Sequence, residues 1–419
     1  MATSAAVRDD RRRPKDRKQQ IARASAEAFS ELGYHAVSME DIASRVGVTA
    51  ASLYRHYSGK YDLFRAAVLG LGEQLVSATD FADDDTTSAP GDLWERIVAA
   101  LIDTSIKTRS SGGLYRWEAR YLAPADQTVL NEQVKLVNRR LQRPLSQLRP
   151  GLDSRQRWTL TASVLSALAS ITDHRAKLAA NEMRRLLADM ARQLRSADLP
   201  PHLVDDEPGP APRRCVDPAG EYEMILATAL RLFNEYGYRE TGMDDIAAVI
   251  GLPASSIYRF FSGKAAILTA IYRRAADRVS GDASAILATA PDARTAVERL
   301  IDAYVWRSFA EPELAYVYFA ERINVPPEDR AALQNIQRAT VEAWVRQVVA
   351  ARPGMPAVEA RFAVHAALGL VVDIGRLVGY RNTESARQTV AGLLRVLLLA
   401  EGGDKSAQPS ISGDAAPSA

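Results

Sequence analysis

Cysteine and long hydrophobic runs are what this sequence of 419 residues lacks most clearly. Its one cysteine, Cys215, excludes a disulfide bond within the chain, which suits a reducing compartment. The longest apolar stretches, 362–372 and 390–400, are shorter than the roughly 20 residues that a membrane-spanning helix requires. The basic N-terminus is not followed by an apolar run, as a signal peptide would be. We therefore expect a cytoplasmic protein that does not enter a membrane.

Catalytic and metal-binding patterns are also missing from the sequence. The five histidines are scattered and stand at no spacing that zinc sites use. We find no glycine-rich phosphate loop and no nucleophile elbow. We expect no metal ion, no cofactor and no enzymatic activity.

The sequence contains an internal repeat. The pattern from Gln20 to Phe64 returns, without a gap, from Met224 to Leu268. Each copy has three short stretches of apolar residues at helical spacing, such as Met39, Ile42 and Val46, and each is predicted to be a helix-turn-helix. Identical residues occupy matching positions, among them Phe29 and Phe233, Gly33 and Gly237, Ile42 and Ile246, Gly47 and Gly251, Tyr54 and Tyr258, Arg55 and Arg259, and Lys60 and Lys264.

Glycine marks the turns of each predicted helix-turn-helix. Gly33 and Gly47 follow the first and second helices, where a left-handed backbone is accessible to a residue without Cβ. Thr49 is the predicted N-cap of the third helix. In the second copy we expect the third helix to start at Pro253, a residue well suited to a first turn.

The strings GVTAASLYRHYSGKYDLF (47–64) and GLPASSIYRFFSGKAAIL (251–268) resemble the recognition-helix signature of TetR-type transcriptional regulators. Members of that family usually carry one such head and dimerise, whereas this chain has the length of two members joined. It is similar to the single-chain, two-headed regulators of actinobacteria, some of which control lipid-import and lipid-metabolism operons. Segments 11–18 and 117–122 especially resemble that subgroup. The resemblance implies an all-α fold of two TetR-like repeats, each a helix-turn-helix DNA-binding head plus a helical ligand and dimerisation body.

The resemblance also implies which residues contact DNA. The exposed starts of the recognition helices would read bases, and larger polar side chains near their ends would touch phosphates. Short Ala and Ser side chains make few base hydrogen bonds, so thymine-methyl contacts and DNA shape would contribute specificity. Phe260 replaces His56 and loses a polar contact, and Arg55 and Arg259 are equally typical of a solvated surface. The implied DNA-contacting residues are Thr49, Ala50, Ala51, Ser52, Tyr54, Arg55, His56 and Lys60 in the first head, and Ala254, Ser255, Ser256, Tyr258, Arg259 and Lys264 in the second.

Charge differs between the two heads, although the whole chain carries a net charge of only +2. The first head has more basic than acidic residues and the second slightly more acidic than basic ones, so the first should bind phosphates more strongly. The basic run from Arg11 to Lys18 is either an arm that follows the DNA backbone or minor groove, or a solvated tail.

Both segments that follow the heads have apolar residues at helical spacing throughout and are predicted to be helical. Neither shows the alternation that is typical of a strand. Segment 199–218 contains six prolines, which exclude a helix, and an extended chain of that length spans up to roughly 60 Å. It therefore does not prevent both heads from reaching half-sites about 34–36 Å apart. The predicted domains are a basic disordered arm (1–17), the first helix-turn-helix domain (18–65), a first helical effector and dimer-like domain (66–197), a Pro-rich linker (198–217), the second helix-turn-helix domain (218–269), a second helical domain (270–400) and a disordered tail (401–419).

The last two predicted helices of each half, 154–196 and 356–400, are rich in Leu, Ala and Val. The resemblance implies that these pairs form the four-helix interface that joins two protomers in ordinary family members, made here within one chain. The alternative is that each pair only closes the core of its own half. The first interpretation predicts an intramolecular pseudo-dimer and leaves further self-association open.

Several aromatic residues and two histidines lie where the family often lines an effector pocket. Aromatics at helical spacing are more often plain core, and a hydrogen-bonded core histidine is the alternative for both histidines. The candidate effector-binding residues are Trp117, Arg120, Tyr121, His174, Trp306, Tyr316, Tyr318 and His365.

We therefore interpret the sequence as a nucleoid-associated repressor that binds a double-stranded DNA operator and is released by a hydrophobic small molecule, a lipid or acyl derivative. The recognition residues differ between the heads, which predicts an asymmetric or imperfectly palindromic operator. One alternative is a constitutive DNA-binding or architectural protein without an effector. The other is an enzyme with an accessory helix-turn-helix, which would need mutually reachable catalytic groups that the sequence does not offer.

Overall fold

The computed structural model describes residues 14–200 and 220–400, and within these ranges it contains helices and turns but no strand. The predicted all-α fold is confirmed. The helices of the first half are α1 (Pro14–Leu32), α2 (Met39–Val46), α3 (Ala50–Leu53), α4 (Lys60–Ala78), α5 (Phe81–Asp84), α6 (Pro90–Lys107), α7 (Gly113–Trp117), α8 (Pro124–Leu148), α9 (Ser154–Ala169) and α10 (Ala180–Ser196). Those of the second half are α11 (Glu221–Glu235), α12 (Met243–Ile250), α13 (Ala254–Tyr258), α14 (Lys264–Thr289), α15 (Ala293–Ala310), α16 (Pro312–Ala320), α17 (Pro327–Ala351), α18 (Ala357–Leu377) and α19 (Glu384–Leu399).

The first head consists of α1 to α3 and the start of α4. Helix α2 begins with a capping box, in which Ser38 and Asp41 bond each other's backbone N–H groups. It ends at Gly47, whose φ of 71° lets the backbone turn left-handed into α3. Thr49 is the N-cap residue of α3, although its side chain accepts no capping hydrogen bond. The helix ends at Leu53, earlier than the apolar spacing suggests.

The second head consists of α11 to α13 and the start of α14, and its helices begin and end in similar ways. Gly242 precedes α12 and donates its N–H to Asp245, while Gly251 ends the helix with a φ of 76°. Pro253 is the N-cap residue of α13 and Ala254 its first helical residue, so the helix starts one position later than predicted. The fixed φ of proline suits this position as well as the first turn.

The two bodies share one hydrophobic core. Helix α9 packs against α18, and α10 packs against α19, so the last helices of both halves meet across the molecule. Fully buried apolar side chains from both halves, including Trp94, Leu168 and Phe362, belong to a single continuous cluster. Each head has a separate small core under its recognition helix. The heads therefore rest on a joint helical platform.

The structure differs from the predicted domain organisation at the N-terminal arm and adds one short helix. Helix α1 begins at Pro14, so the last residues of the predicted disordered arm (1–17) are helical, as proline permits at a first turn. The rest of that arm, most of the linker including Cys215, and the tail 401–419 lie outside the described residues. The short helix α5 was not expected from periodicity, because a single turn is too short to show one.

Candidate nucleic-acid interface and internal cavity

The recognition helices α3 and α13 are held by one apolar face and expose the other. Leu53 and Ile257 are fully buried beneath them. Tyr54 and Tyr258 are each 55% exposed, which leaves both phenol rings available to a partner. Of the other predicted base-reading residues, Thr49, Ala51 and Ser255 are exposed, and Ala50, Ser52, Ala254 and Ser256 are partly buried.

The arginines that follow these tyrosines have different surroundings. Arg259 donates to Glu221 at 2.7 Å, so its charge is matched within the second head. Arg55 is exposed and forms no ion pair with the residues that the structure describes. The repeat places Arg17 where the second copy has Glu221. The guanidinium of Arg55 is thus more available for a phosphate than that of Arg259.

The next position repeats this difference. His56 in the first head and Phe260 in the second are both exposed, Phe260 by 42%. A phenyl ring cannot donate to a phosphate, whereas an imidazole can. Beneath them Tyr57 and Phe261 are almost fully buried and belong to the cores of their heads.

The lysines that open α4 and α14 are bonded to their own heads. Lys264 Nζ donates to three carbonyl oxygens, those of Tyr238, Arg239 and Thr241, at 2.9 to 3.0 Å. Lys60 Nζ donates to the carbonyl of His35 at 3.1 Å. Burial lowers the pKa of both ammonium groups. An ammonium has three protons to donate, so Lys264 is fully engaged in fixing the loop after α11.

Two buried glutamates, which the sequence interpretation missed, anchor the heads to the bodies. Glu118 accepts the N–H of Tyr34 at 3.1 Å, and Glu321 accepts the N–H of Tyr238 at 3.0 Å. Both carboxylates are buried, and both tyrosines directly follow the glycine that ends the first helix of a head. A signal was present: the aligned segments LYRWEARYLAP (114–124) and VYFAERINVPP (317–327) both place a glutamate inside an apolar stretch. Such a residue is rarely buried without a partner.

A cavity of about 90 Å³ lies inside the second body, between α14, α15, α16, α17 and α18. Its walls are mainly apolar and aromatic, with Tyr304, Tyr318 and Trp344 among them. Burial raises the pKa of Tyr318 to about 12 and also raises that of Tyr304. In the described part of the chain neither phenol hydroxyl forms a hydrogen bond, so both can serve a ligand.

The eight candidate effector residues are not gathered around this cavity. Of them, only Tyr318 lines it. Trp306 is 58% exposed, and the ring of Tyr316 lies under the guanidinium of Arg376. The others lie between the two halves or beside the heads: Trp117 donates to Asp173 and stacks on Phe319, Arg120 bonds Glu321, Tyr121 packs on Tyr34 and His35, and His174 stacks on His365 with ring centroids 4.3 Å apart.

Among the described residues no group of three histidine, cysteine or carboxylate side chains is placed to hold a metal ion. No described helix combines the length and apolarity that crossing a membrane requires.

Comparisons with known proteins agree with the repeat. The family model for bacterial regulatory proteins of the TetR family matches residues 21–67 and again 225–271. The chain is 40% identical over 91 residues to the HTH-type transcriptional activator FasR of Mycolicibacterium smegmatis, a match that covers 22% of this chain and 40% of FasR. It is 35% identical over 71 residues to the HTH-type transcriptional regulator YezE of Bacillus subtilis, covering 17% of this chain and 34% of YezE. The matches thus span well under half of either relative.

Among solved structures, a TetR-family transcriptional regulator from Bordetella parapertussis aligns with 42% of this chain and 93% of its own, at 19% identity and a TM-score of 0.40. A tetR-family regulatory protein from Rhodococcus aligns with 44% of this chain and 98% of its own, at 23% identity and a TM-score of 0.39. The family model matches both helix-turn-helix segments, and the structure folds both in the same way. The chain therefore carries two helix-turn-helix heads, each of which the TetR-family model matches.

Proposed function

We propose that the protein is a transcriptional regulator that binds one double-stranded operator as a single-chain pseudo-dimer, with one head on each half-site. The observation that supports this most directly is the shared core of α9, α10, α18 and α19, which joins two heads with exposed recognition helices. Paired heads on a two-fold framework are what operators with two half-sites require. No second chain is needed to supply the other head.

The stoichiometry of the DNA complex tests this proposal. Footprinting on DNA that flanks the gene would define the operator, and sizing of the complex on the shortest bound duplex should give one chain per duplex. A duplex with only one half-site serves as the control and should bind much more weakly. A minimum of two chains on the shortest duplex would contradict the pseudo-dimer.

The two half-sites should differ in sequence, because the recognition surfaces differ at matched positions. Ala51 faces outward in the first head where Ser255 does in the second, and His56 corresponds to Phe260. Operators made symmetric from either half-site should therefore bind more weakly than the native operator. Equal binding of a symmetric version would show that the heads are equivalent.

We further propose that a hydrophobic small molecule with one polar group, such as a lipid or acyl derivative, binds in the cavity of the second body. The apolar walls and the two free phenol hydroxyls support this ligand class. In the first body the matching space is occupied, since Gln133 Oε1 lies 2.1 Å from where a Cβ on Gly72 would stand. The effector site thus belongs to one half only.

The cavity connects with the second head through α16. This helix contributes Tyr318 and Phe319 to the cavity wall and is followed by Glu321, which bonds the head at Tyr238. A volume of about 90 Å³ is too small for an acyl chain, so such a ligand would widen the cavity and displace α16. Displacement of Glu321 would then shift the second head, which gives the ligand different affinities for the two states.

The matched variants Tyr318→Phe and Tyr115→Phe test the effector site. Tyr115 occupies the equivalent position in the first half but does not line the cavity. Isothermal titration with fatty acids and their thioesters should detect a ligand, and Tyr318→Phe should weaken its binding by about tenfold through one lost hydrogen bond. Tyr115→Phe should leave it unchanged. Equal effects of both variants, or no binding by the unmodified chain, would contradict this site.

Repression is the sign of regulation that we propose, with the effector releasing the operator. The similar protein FasR is named an activator, so the sign needs its own measurement. A reporter gene behind the operator should be silenced by the chain and restored by the effector. Increased expression in the presence of the chain would assign activation and leave the DNA-binding proposal intact.

A further inference from the structure

Two single-turn 3-10 helices, 119–121 and 322–324, stand at equivalent places in the two halves, and each reaches the head of the other half. Ile323 packs on Gly33 of the first head so closely that a Cβ there would lie 2.2 Å from its Cδ1 atom. The ring of Tyr121 lies 3.9 Å from the corresponding Cβ position of Gly237 in the second head. These two contacts between head and platform are therefore crossed between the halves, in addition to the contacts that each head makes with its own half.

Arg120 forms an ionic contact from the same turn of the first half to the second body. Its Nη1 donates to Glu321 Oε1 at 2.5 Å, and its Nη2 donates to the carbonyl of Ala320 at 3.1 Å. The same oxygen of Glu321 accepts the N–H of Tyr238 in the second head. Glu321 is fully buried. One carboxylate oxygen therefore joins the first body directly to the second head.

The first head lacks an equivalent ionic contact. The repeat places Ile323 where the first half has Arg120, so the partner that reaches the first head is apolar. Glu118 accepts the N–H of Tyr34, and within the described residues no cation bonds its carboxylate. Burial raises the pKa of Glu118. At these matched glutamates, the first head is thus held by packing and one hydrogen bond, and the second by a buried ion pair.

We infer that Arg120 is a positioning residue that fixes the second head relative to the first and thereby sets the half-site spacing that the chain accepts. The inference rests on the proposed operator binding. A buried guanidinium that donates to both a carboxylate and a neighbouring carbonyl holds a defined geometry better than an apolar contact, because its hydrogen bonds are directional. Without the guanidinium, Glu321 keeps, within the described residues, only the bonds donated by the N–H of Tyr238 and the side-chain amide of Asn324. Both donors belong to the second half, so the direct tie to the first body is lost and the second head gains freedom relative to the platform.

The experiment measures spacing selectivity with full-length chain. A series of operator duplexes is made in which the half-sites are moved apart or together by one and two base pairs. The unmodified chain should prefer one spacing, and Arg120→Met should reduce that preference by about fivefold or more. Arg322→Met is the matched control, because Arg322 lies in the equivalent turn and its hydrogen bond within the described residues is a long one of 3.4 Å, to the carbonyl of Asp173. It should keep the preference of the unmodified chain.

A second variant separates positioning from folding. Arg120→Met combined with Glu321→Gln removes both charges, keeps an acceptor for the N–H of Tyr238, and should also lose spacing preference while retaining its thermal midpoint. Unchanged spacing preference in a folded Arg120 variant would overturn the inference. Failure of the unmodified chain to bind any duplex would instead reject the proposed function, so the two failures are distinguishable.

Discussion

The two heads have the same fold and differ in how their cations are used. In the second head Lys264 donates to three carbonyls and Arg259 is paired with Glu221. In the first head Lys60 donates to one carbonyl and Arg55 has no ion-pair partner among the described residues. In the second head both cationic side chains are therefore bonded to other groups of that head. In the first head more of the corresponding positive charge is available to an external anion. Duplicated heads can diverge in affinity without any change in backbone.

The largest effect should come from placing a carboxylate on each recognition helix in turn. Ala51→Glu should weaken operator binding by about 100-fold, because the new charge faces phosphates in the head that supplies most of the electrostatic attraction. Ser255→Glu, at the matched exposed position, should weaken it by about tenfold. Fluorescence anisotropy at fixed salt measures both, and circular dichroism checks the folds. A larger loss from Ser255→Glu would reverse the ranking of the heads.

The lysines provide the next comparison. Lys264→Met leaves three carbonyls without their donor and should destabilise the second head by about 2 kcal/mol, against about 1 kcal/mol for Lys60→Met in the first. Amide hydrogen exchange measures the local stability of each head separately, whereas a melting curve reports on the whole chain. Equal loss of protection in the two heads would show that the number of carbonyl contacts does not matter.

Much of the fold was predictable because it depends on local pattern. Glycine at 33, 47, 237 and 251 has positive φ in the structure, as turns with a left-handed backbone require. Tyr57 and Phe261, just beyond the recognition helices, lie in the same cores as Leu53 and Ile257. These features depend on residues that are only a few helical turns apart, and the spacing of such residues can be read directly from the sequence.

The contacts between the halves were not predictable in this way. Arg120 and Glu321 are separated by 201 positions, and nothing in helical periodicity states which faces of distant helices meet. The resemblance assigns Arg120 to an effector pocket, and in the structure its guanidinium bonds Glu321 and Ala320 of the other half. Gln133 extends to Gly72 in the first half, whereas its counterpart Ile336 lines the cavity in the second, and this difference becomes meaningful only when the packing partners are known. Similarly, the two lysines predicted to contact phosphates could not be recognised from the sequence as donors to carbonyls of their own heads.

A smaller effect concerns one histidine from each half. Burial lowers the pKa of His174 to about 2 and that of His365 to about 4, both from 6.5. Below pH 6.5 the folded chain therefore binds fewer protons than the unfolded chain. The free energy of unfolding keeps its full value above pH 6.5 and decreases as the pH falls toward 4. Each histidine should lower the free energy of unfolding by about 1 kcal/mol for every pH unit below 6.5.

Thermal midpoints between pH 7.5 and 5.5 measure this loss, because few carboxylates titrate in that range. His365→Gln should flatten the dependence, whereas His56→Gln, at an exposed position of the first head, should not. Identical pH profiles for His365→Gln and the unmodified chain would show that the stacked pair does not control acid sensitivity.

The smallest effect, and the most direct test of the difference between the heads, is Glu221→Gln. This change removes the carboxylate that pairs with Arg259 but keeps an oxygen acceptor, so Arg259 becomes available to a phosphate as Arg55 is in the first head. Operator affinity should rise by about threefold to tenfold, and the slope of log affinity against log salt should steepen by about one unit. Glu223→Gln is the control, because Glu223 pairs with Arg274 on α14 and not with the recognition helix, although it removes the same charge from the same helix. If both variants change affinity and slope equally, net charge of the head matters and the pairing of Arg259 does not. If only Glu221→Gln does, the inward use of that arginine is what makes the second head the weaker one.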